Sequence, residues 1–194
     1  MKKILLMLAI ITVIQNCGNI PAFADAETDA HQVYISKIQS KNIKYAESGL
    51  FEAISNDDSL TVELFMKAGM SPNATYMKVP ALYFAISSGA GNSVQTLIEY
   101  GADVNRIQMG FTPLMFAINR KQAEVAKMLV NAGAEVNTNI SGMTPVNYAL
   151  KKKQLSTAKF LIDAGAKVND ETVIRAIKSD DKNLKNAVFN VYNK

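Results

Sequence analysis

Residues 110–137 decide the fold, and they read GFTPLMFAINRKQAEVAKMLVNAGAEVN. Three features of this stretch recur every 32 residues on both sides of it. The recurring positions are Gly69, Gly101, Gly133 and Gly165; Asn73, Asn105, Asn137 and Asn169; and Ala53, Ala85, Ala117 and Ala149. A fixed period of roughly 20 to 50 residues is typical of an array of small supersecondary units. The sequence therefore predicts a repeat protein.

The first half of each unit predicts a helix. Thr112 and Pro113 are placed to begin it, because a threonine hydroxyl can cap the first turn and the missing proline N–H costs nothing there. Leu114, Ala117 and Ile118 then fall on one face at helical spacing. The small Ala117 predicts a close approach between neighbouring helices.

The second half predicts another helix followed by a turn. Val125, Met128, Leu129 and Ala132 form one apolar stripe. Gly133 is predicted to end this helix, since glycine tolerates the left-handed backbone found after helix C-termini. One such helix pair cannot bury its apolar face alone, but stacked pairs can.

The pattern of Thr-Pro-Leu-x-x-Ala followed by Ala-Gly-Ala-x-Val-Asn resembles the ankyrin repeat. Residues 110–137 match it best, 142–169 follow closely, 78–105 carry Pro80-Ala81 in place of Thr-Pro, and 46–73 are degenerate. The resemblance implies an all-α repeat solenoid of stacked helix-turn-helix ankyrin units with short β-hairpin turns. It also implies a protein that binds other proteins.

Two departures from the family pattern concern the hairpin and the start of the first helix. The family period is about 33 residues, whereas this chain lacks one residue per unit, in the hairpin turn. Phe51, Tyr83, Met115 and Asn147 stand where the family has a histidine that ties the helix to its neighbours. That hydrogen-bond network is therefore predicted to be absent, except at Asn147.

The N-terminus resembles a secretory signal peptide. A short basic region ending at Lys3 precedes an apolar run from Ile4 to Ile14, and Ala22-x-Ala24 follows as a cleavage site. The run is shorter than the roughly 20 residues of a membrane span. An uncleaved anchor and lipidation at Cys17 are the alternatives, although Gln15-Asn16 does not suit a lipidation site.

Removal of residues 1–24 takes Lys2, Lys3 and no acidic residue. The 21 basic residues become 19 against 17 acidic ones, and Cys17, the only cysteine, is lost. The nearly neutral mature chain argues against a strong electrostatic role with nucleic acid. We expect a bacterial envelope protein, periplasmic or secreted after cleavage near Ala24, held together by its core without disulfides.

The sequence divides into a signal peptide, a cap and an array. The predicted ranges are 1–24 for the signal peptide, 25–47 for an N-terminal capping helix and 48–194 for the ankyrin repeat domain, with repeats at about 48–73, 78–105, 110–137 and 142–169 and a C-terminal capping repeat at 170–194. The capping helix itself is predicted at about 28–40. Terminal units need a polar outer face, which both ends supply.

No motif in the sequence predicts catalysis. His31 is the only histidine, and without a mature cysteine the usual nucleophile–base pairs cannot be built. Gly89-Ala90-Gly91 lacks the preceding strand and the following Lys-Ser/Thr of a phosphate loop, so a turn between helices is predicted. We expect no enzyme activity, no metal and no cofactor.

The hairpin turns carry the candidate binding residues. They contain apolar or aromatic side chains where the family's turns are usually polar, and aromatics, Met and Arg are enriched at interface cores. The predicted protein-binding residues are Tyr76, Met77, Arg106, Ile107, Met109 and Ile140, flanked by Lys151 and Lys152. Packing of the tips on each other is the alternative. For the lysines, a solvated surface is the more common interpretation of such a basic run, with an acidic protein partner or a lipid head group as the others.

The function predicted from these features is a non-catalytic protein-interaction scaffold of the bacterial periplasm, acting as a monomer. It would bind a partner protein through the hairpin tips and the concave helix face. The alternatives are an accessory or protective subunit of a periplasmic enzyme and a secreted effector acting on a host protein.

Overall fold

The structure, a computed structural model, describes residues 23–192 and the side chains of residues 30–190. The predicted signal peptide up to Pro21-Ala22, with Cys17, lies outside the described residues. Within them the chain forms helices α1 (Phe23–Ser40), α2 (Glu47–Ser55), α3 (Ser59–Lys67), α4 (Ala81–Ser88), α5 (Gly91–Glu99), α6 (Pro113–Asn119), α7 (Ala123–Asn131), α8 (Pro145–Lys151), α9 (Leu155–Asp163), α10 (Asp170–Ile177) and α11 (Lys182–Tyr192), with strands β1 (Thr75–Tyr76) and β2 (Val79–Pro80) between α3 and α4.

The helices from α2 onward form five antiparallel pairs that stack in sequence order. The first helices of the pairs, α2, α4, α6, α8 and α10, contact one another in succession, and so do the second helices from α3 to α11. Helix α1 packs on α3, where Ile38 is fully buried. The arrangement confirms the predicted all-α solenoid of helix-turn-helix units with short hairpins.

Helix starts follow the sequence signals. The hydroxyl of Thr112 accepts a hydrogen bond from the Met115 N–H at 3.2 Å, and Pro113 occupies the first turn of α6. Thr144 caps α8 in the same way, with 3.4 Å between its hydroxyl and the Asn147 nitrogen. Pro80 holds this place before α4 and offers no side-chain cap, which is the local consequence of the missing Thr-Pro.

The ends of the second helices depend on the repeated glycine. Gly133 has φ +90°, and its N–H donates to the carbonyl of Val130 at 3.0 Å while the next N–H reaches Leu129 at 2.9 Å. These bonds satisfy carbonyls that the helix end leaves without partners. The prediction for Gly133 is confirmed. Ala132 is exposed, however, because it lies at the helix end, and Ala126 fills the core instead.

A ladder of asparagines joins consecutive units. The Asn105 amide donates to the Gly133 carbonyl at 3.2 Å and accepts from the Glu135 N–H at 2.8 Å. Asn137 makes the same pair of bonds to Gly165 and Lys167, with distances of 3.2 and 2.7 Å. Each asparagine thus satisfies backbone groups of the following unit. The 32-residue spacing of these asparagines therefore reflects inter-repeat hydrogen bonding.

Asn169, the last of the repeated asparagines, does not join two units in this way. Asn169 caps α10 by accepting from the Thr172 N–H at 2.9 Å, and the Thr172 hydroxyl accepts from the Asn169 N–H in return. This reciprocal cap starts the helix directly at Asp170, where the earlier units have a hairpin. Leu184 and Val188 of α11 are fully buried, whereas Ile174 and Ile177 of α10 are 52 % exposed.

One continuous core runs through the stack. Its fully or almost fully buried side chains recur at the same place in each unit: Leu50, Leu82, Leu114 and Val146 from the first helices, and Ala53, Ala85, Ala117 and Ala149 beside them. The alanines confirm the predicted close approach of neighbouring helices.

Candidate partner-binding surface

Three two-residue turns project from one edge of the array. In the first, Tyr76 pairs with Val79 and Thr75 with Pro80. The next two are closed by the single bridges Gln108–Phe111 and Ile140–Met143. Both central residues have positive φ: Met77 and Lys78 at 50° and 65°, Met109 and Gly110 at 49° and 74°, and Ser141 and Gly142 at 51° and 81°. Such turns favour Asn, Asp and Gly at these two positions.

Methionine is therefore unfavourable at the first position of these turns for two reasons. A residue with a β-carbon is disfavoured in the left-handed region by roughly 1–2 kcal/mol. The two side chains are also among the most exposed apolar groups of the described chain, at 80 % for Met77 and 77 % for Met109. Neither the backbone nor the core of the protein explains them.

The other predicted binding residues differ in exposure. Arg106 and Ile107 are exposed, the latter by 54 %. Tyr76 is 38 % exposed because its ring packs on Phe51 of the preceding unit, with 5.5 Å between ring centroids. Ile140 is half-buried. The structure thus brings the predicted residues to one edge but leaves Tyr76 and Ile140 partly engaged with the protein itself.

The two predicted lysines lie at the end of α8. Lys151 is the last residue of this helix and Lys152 is its C-cap. Both side chains are exposed, and the Lys152 amine lies 5.4 Å from the centre of the Tyr148 ring.

The predicted absence of a tie at Tyr83 is wrong. Its hydroxyl lies 2.7 Å from the Arg106 carbonyl oxygen and 2.6 Å from that of Phe111, so one hydroxyl holds both arms of the second hairpin against α4. Burial raises the pKa of the Tyr83 hydroxyl well above its ordinary value, which keeps it protonated as a donor. A tyrosine phenol replaces the family histidine because it too can reach the neighbouring backbone. At Asn147 the expected network exists, and its side-chain oxygen accepts a hydrogen bond from the Thr172 hydroxyl at 2.8 Å.

An aromatic row, which the sequence analysis missed, runs along the first helices beneath the hairpins. Phe84, Phe116 and Tyr148 occupy one position of successive units, 32 residues apart. Ring centroids along the row are 5.0 to 6.2 Å apart for the pairs Phe51–Phe84, Tyr83–Phe116, Phe111–Phe116 and Phe111–Tyr148. The recurrence of aromatics one residue before the core alanine was the signal available in the sequence.

A cleft opens between this row and the second hairpin. It has a volume of about 270 Å³, and most of its lining is apolar. Its main walls are Phe84, Phe111 and Phe116, with Val79 and Met109 on the hairpin side and Ser87 at the α4 end. The exposed Met109 therefore stands at the edge of a concave apolar site.

Five cationic residues lie near the hairpins and the first helices. Lys78, Arg106, Arg120, Lys151 and Lys152 lie on the hairpins or at the ends of the first helices, and none forms an ion pair with another part of residues 23–192. Glu52, which holds the aromatic-row position of the first unit, is exposed there. The ion pairs found elsewhere lie mostly along single helices, such as Lys127 with Glu124 on α7.

Metal-ligating side chains do not cluster in the described part of the chain. No three His, Cys, Asp or Glu residues there are grouped to hold a metal ion. Gly89 is the left-handed cap of α4 and Gly91 begins α5, so this segment is a turn between helices. Among residues 23–192, no helix has the length and apolar character needed to cross a membrane.

Replacing Lys78 tests the strain in the first turn. We expect Lys78→Gly to raise the free energy of unfolding by about 0.5–1 kcal/mol, because glycine removes the left-handed penalty while adding unfolded-state entropy. Lys78→Ala removes the same amine but keeps the β-carbon, and it should give no gain. Urea unfolding measures the free energy of unfolding of both variants. Equal changes in the two would show that the left-handed backbone at Lys78 does not cost stability.

Comparison with protein families agrees with this geometry. Residues 106–172 match the family model described as ankyrin repeats (3 copies). The match covers the third and fourth units and the start of the last one, and the same stacking and asparagine ladder extend to the units before it. A comparison with curated proteins gave no significant match.

Residues 106–172 of the chain therefore consist of ankyrin repeats. Ankyrin repeats are generally protein–protein interaction modules, and proteins of this family are typically non-enzymatic scaffolds.

Proposed function

We propose that this chain is a non-catalytic scaffold, exported to the bacterial periplasm, which binds a partner protein through its hairpin tips and concave helix face. One observation carries the proposal. Met77 and Met109 occupy left-handed turn positions with about four-fifths of each side chain exposed. A residue that costs the fold stability and contributes nothing to its core is well explained by contact with another molecule.

The surface around the tips supports a protein partner. Methionine side chains adapt to varied apolar partners, and the aromatic row offers groups that are enriched in interface cores. The stacked helices hold these side chains in place before binding, which lowers the ordering cost of association.

The double variant Met77→Asn/Met109→Asn tests the proposal. Asparagine suits the first position of these turns, so the unfolding midpoint should stay equal or rise. Partner capture from an envelope fraction should fall at least tenfold, since a few anchors carry most of an interface's energy. Leu60→Asn is the matched control, because Leu60 lies on α3 and is 70 % exposed.

The control variant Leu60→Asn should capture the same proteins as the parent. If the double variant captures them equally well, the tips do not form the site. If it loses stability, the methionines serve the fold.

Export is the second part of the proposal and rests on residues 1–24 alone. We expect the exported protein to begin at Asp25, after cleavage behind Ala22-x-Ala24. The intact mass of the protein from the envelope fraction measures this directly. A chain starting at a lipid-modified Cys17, or an unprocessed chain, would contradict it.

A further inference from the structure

The cleft beneath the second hairpin is sized for one side chain. Its volume of about 270 Å³ lies below the range of about 300–1,000 Å³ typical of small-molecule sites. Phe84, Phe111 and Phe116 supply most of its walls. Burial of a large apolar side chain there would release water from apolar surface on both molecules, which is the main favourable term in association.

Cationic residues adjoin the rim of the cleft, together with one acidic residue, Asp103, whose charge acts on the Tyr83 hydroxyl as that of Arg106 does. The Arg120 guanidinium lies 5.4 Å from the centre of the Phe116 ring, and it donates a hydrogen bond to the hydroxyl of Ser87. Arg106 lies next to the cleft, because its backbone carbonyl accepts a hydrogen bond at 2.7 Å from the hydroxyl of Tyr83, a residue of the cleft wall. Lys78 adjoins it through its own carbonyl, which accepts from the Gln108 side chain at 3.1 Å.

These three cations have no carboxylate partner within residues 23–192. Like charges gathered on one side of a surface favour a ligand of opposite charge and speed its association. The aromatic rings between them are tilted against each other by 44° to 63°. Such edge-on packing offers no flat platform for stacked nucleotide bases, and so the arrangement favours a protein ligand.

We propose that the partner contributes an acidic segment that places one large apolar side chain in this cleft, while its carboxylates face Lys78, Arg106 and Arg120. The inference rests on the proposed scaffold function and adds the chemistry of the bound segment. The cleft binds the apolar side chain of the partner, and the cationic residues around it favour acidic residues next to that side chain.

Three fluorescent dodecapeptides test the inference on the exported form of the chain. The first has one phenylalanine among glutamate and serine residues, the second replaces that phenylalanine by alanine, and the third replaces the glutamates by lysines. Fluorescence anisotropy should show the first peptide binding at least tenfold more tightly than either of the others. Its affinity should fall with added salt, because exposed charges are screened.

Matched variants locate the site. Arg106→Gln/Arg120→Gln should weaken binding of the first peptide at least tenfold. Lys127→Gln/Lys159→Gln removes the same charge from α7 and α9, and it should change binding less than twofold. Ser87→Leu should block the cleft and reduce binding. It also removes the hydroxyl that accepts from Arg120, but Ser87 is exposed and the variant should stay folded.

Equal binding of the three peptides, or tighter binding of a single-stranded oligonucleotide, would overturn the inference. Equal losses in the two charge variants would overturn it too, as would full binding by a folded Ser87→Leu variant. If the peptides fail while the double methionine variant still loses partner capture, the scaffold function stands and only the segment chemistry is wrong.

Discussion

Gly49→Ala is expected to lower the free energy of unfolding by about 3 kcal/mol, since overpacking that displaces backbone reaches this size. Gly49 is buried in the first turn of α2. A β-carbon there would lie 2.0 Å from the Lys44 carbonyl oxygen and 3.1 Å from the Phe65 ring. The first contact is with backbone, so the segment before α2 must move as a whole.

That movement would loosen the N-terminal end of the array. Tyr45 stacks on Phe65 with 5.7 Å between ring centroids, and its hydroxyl donates to the Ala68 carbonyl at 2.6 Å. Both contacts depend on the path of the segment that Gly49 admits. We therefore expect hydrogen exchange to accelerate first in α1 and α2.

Gly91→Ala is the matched control for this prediction. Gly91 also begins a helix, α5, but a β-carbon there would meet nothing within 4 Å. Its replacement should leave stability unchanged or raise it by up to about 1 kcal/mol, the difference between glycine and alanine in helices. Both variants are compared with the parent by urea unfolding. If both have the parent's midpoint, the segment before α2 leaves room for a β-carbon at position 49, and the prediction is wrong.

Tyr83→Phe has the second largest expected effect, a loss of about 1–3 kcal/mol. The change removes the hydroxyl and leaves the Arg106 carbonyl without this donor, and a buried acceptor that loses its partner costs this much. The Phe111 carbonyl keeps the Gln108 N–H as a donor at 2.9 Å. The phenyl ring itself stays, so packing on Phe116 is kept. Because the two carbonyls belong to opposite arms of the second hairpin, its tip should become mobile.

The control is Tyr148→Phe. Its hydroxyl donates only to the Asn119 side chain, at 2.8 Å, and that partner remains accessible to water. We expect a loss below about 1 kcal/mol. Amide exchange of Gln108 and Phe111 should accelerate in the Tyr83 variant alone. Equal losses of stability in both variants would mean that Tyr83 does not secure the hairpin.

Local signals allowed much of the fold to be predicted from the sequence. Thr112, Pro113 and Gly133 act through their own backbone and nearest neighbours, which is why their roles could be predicted. The regular period then specified how the units stack.

The missed features depend on contacts between units. The sequence has Tyr83 in place of the family histidine, and we therefore predicted no hydrogen bonds to the neighbouring unit. The Tyr83 hydroxyl nevertheless reaches a hairpin more than twenty residues further along the chain. The asparagines were recognised by period, but their bonds to the next unit needed the stack. Likewise, the cleft forms from residues of two units and a hairpin, so no single stretch of sequence contains it.

The partner-binding role of the tips is the central claim, and site-specific photo-crosslinking tests it most directly. A benzophenone amino acid is placed at Met109, at Met77 or, as the control, at Leu60, and cells producing each protein are irradiated. We predict discrete crosslinked bands from positions 77 and 109, with the same partner protein in both, and none from position 60. Crosslinks from position 60 with none from the two tips would contradict the assignment of the binding surface.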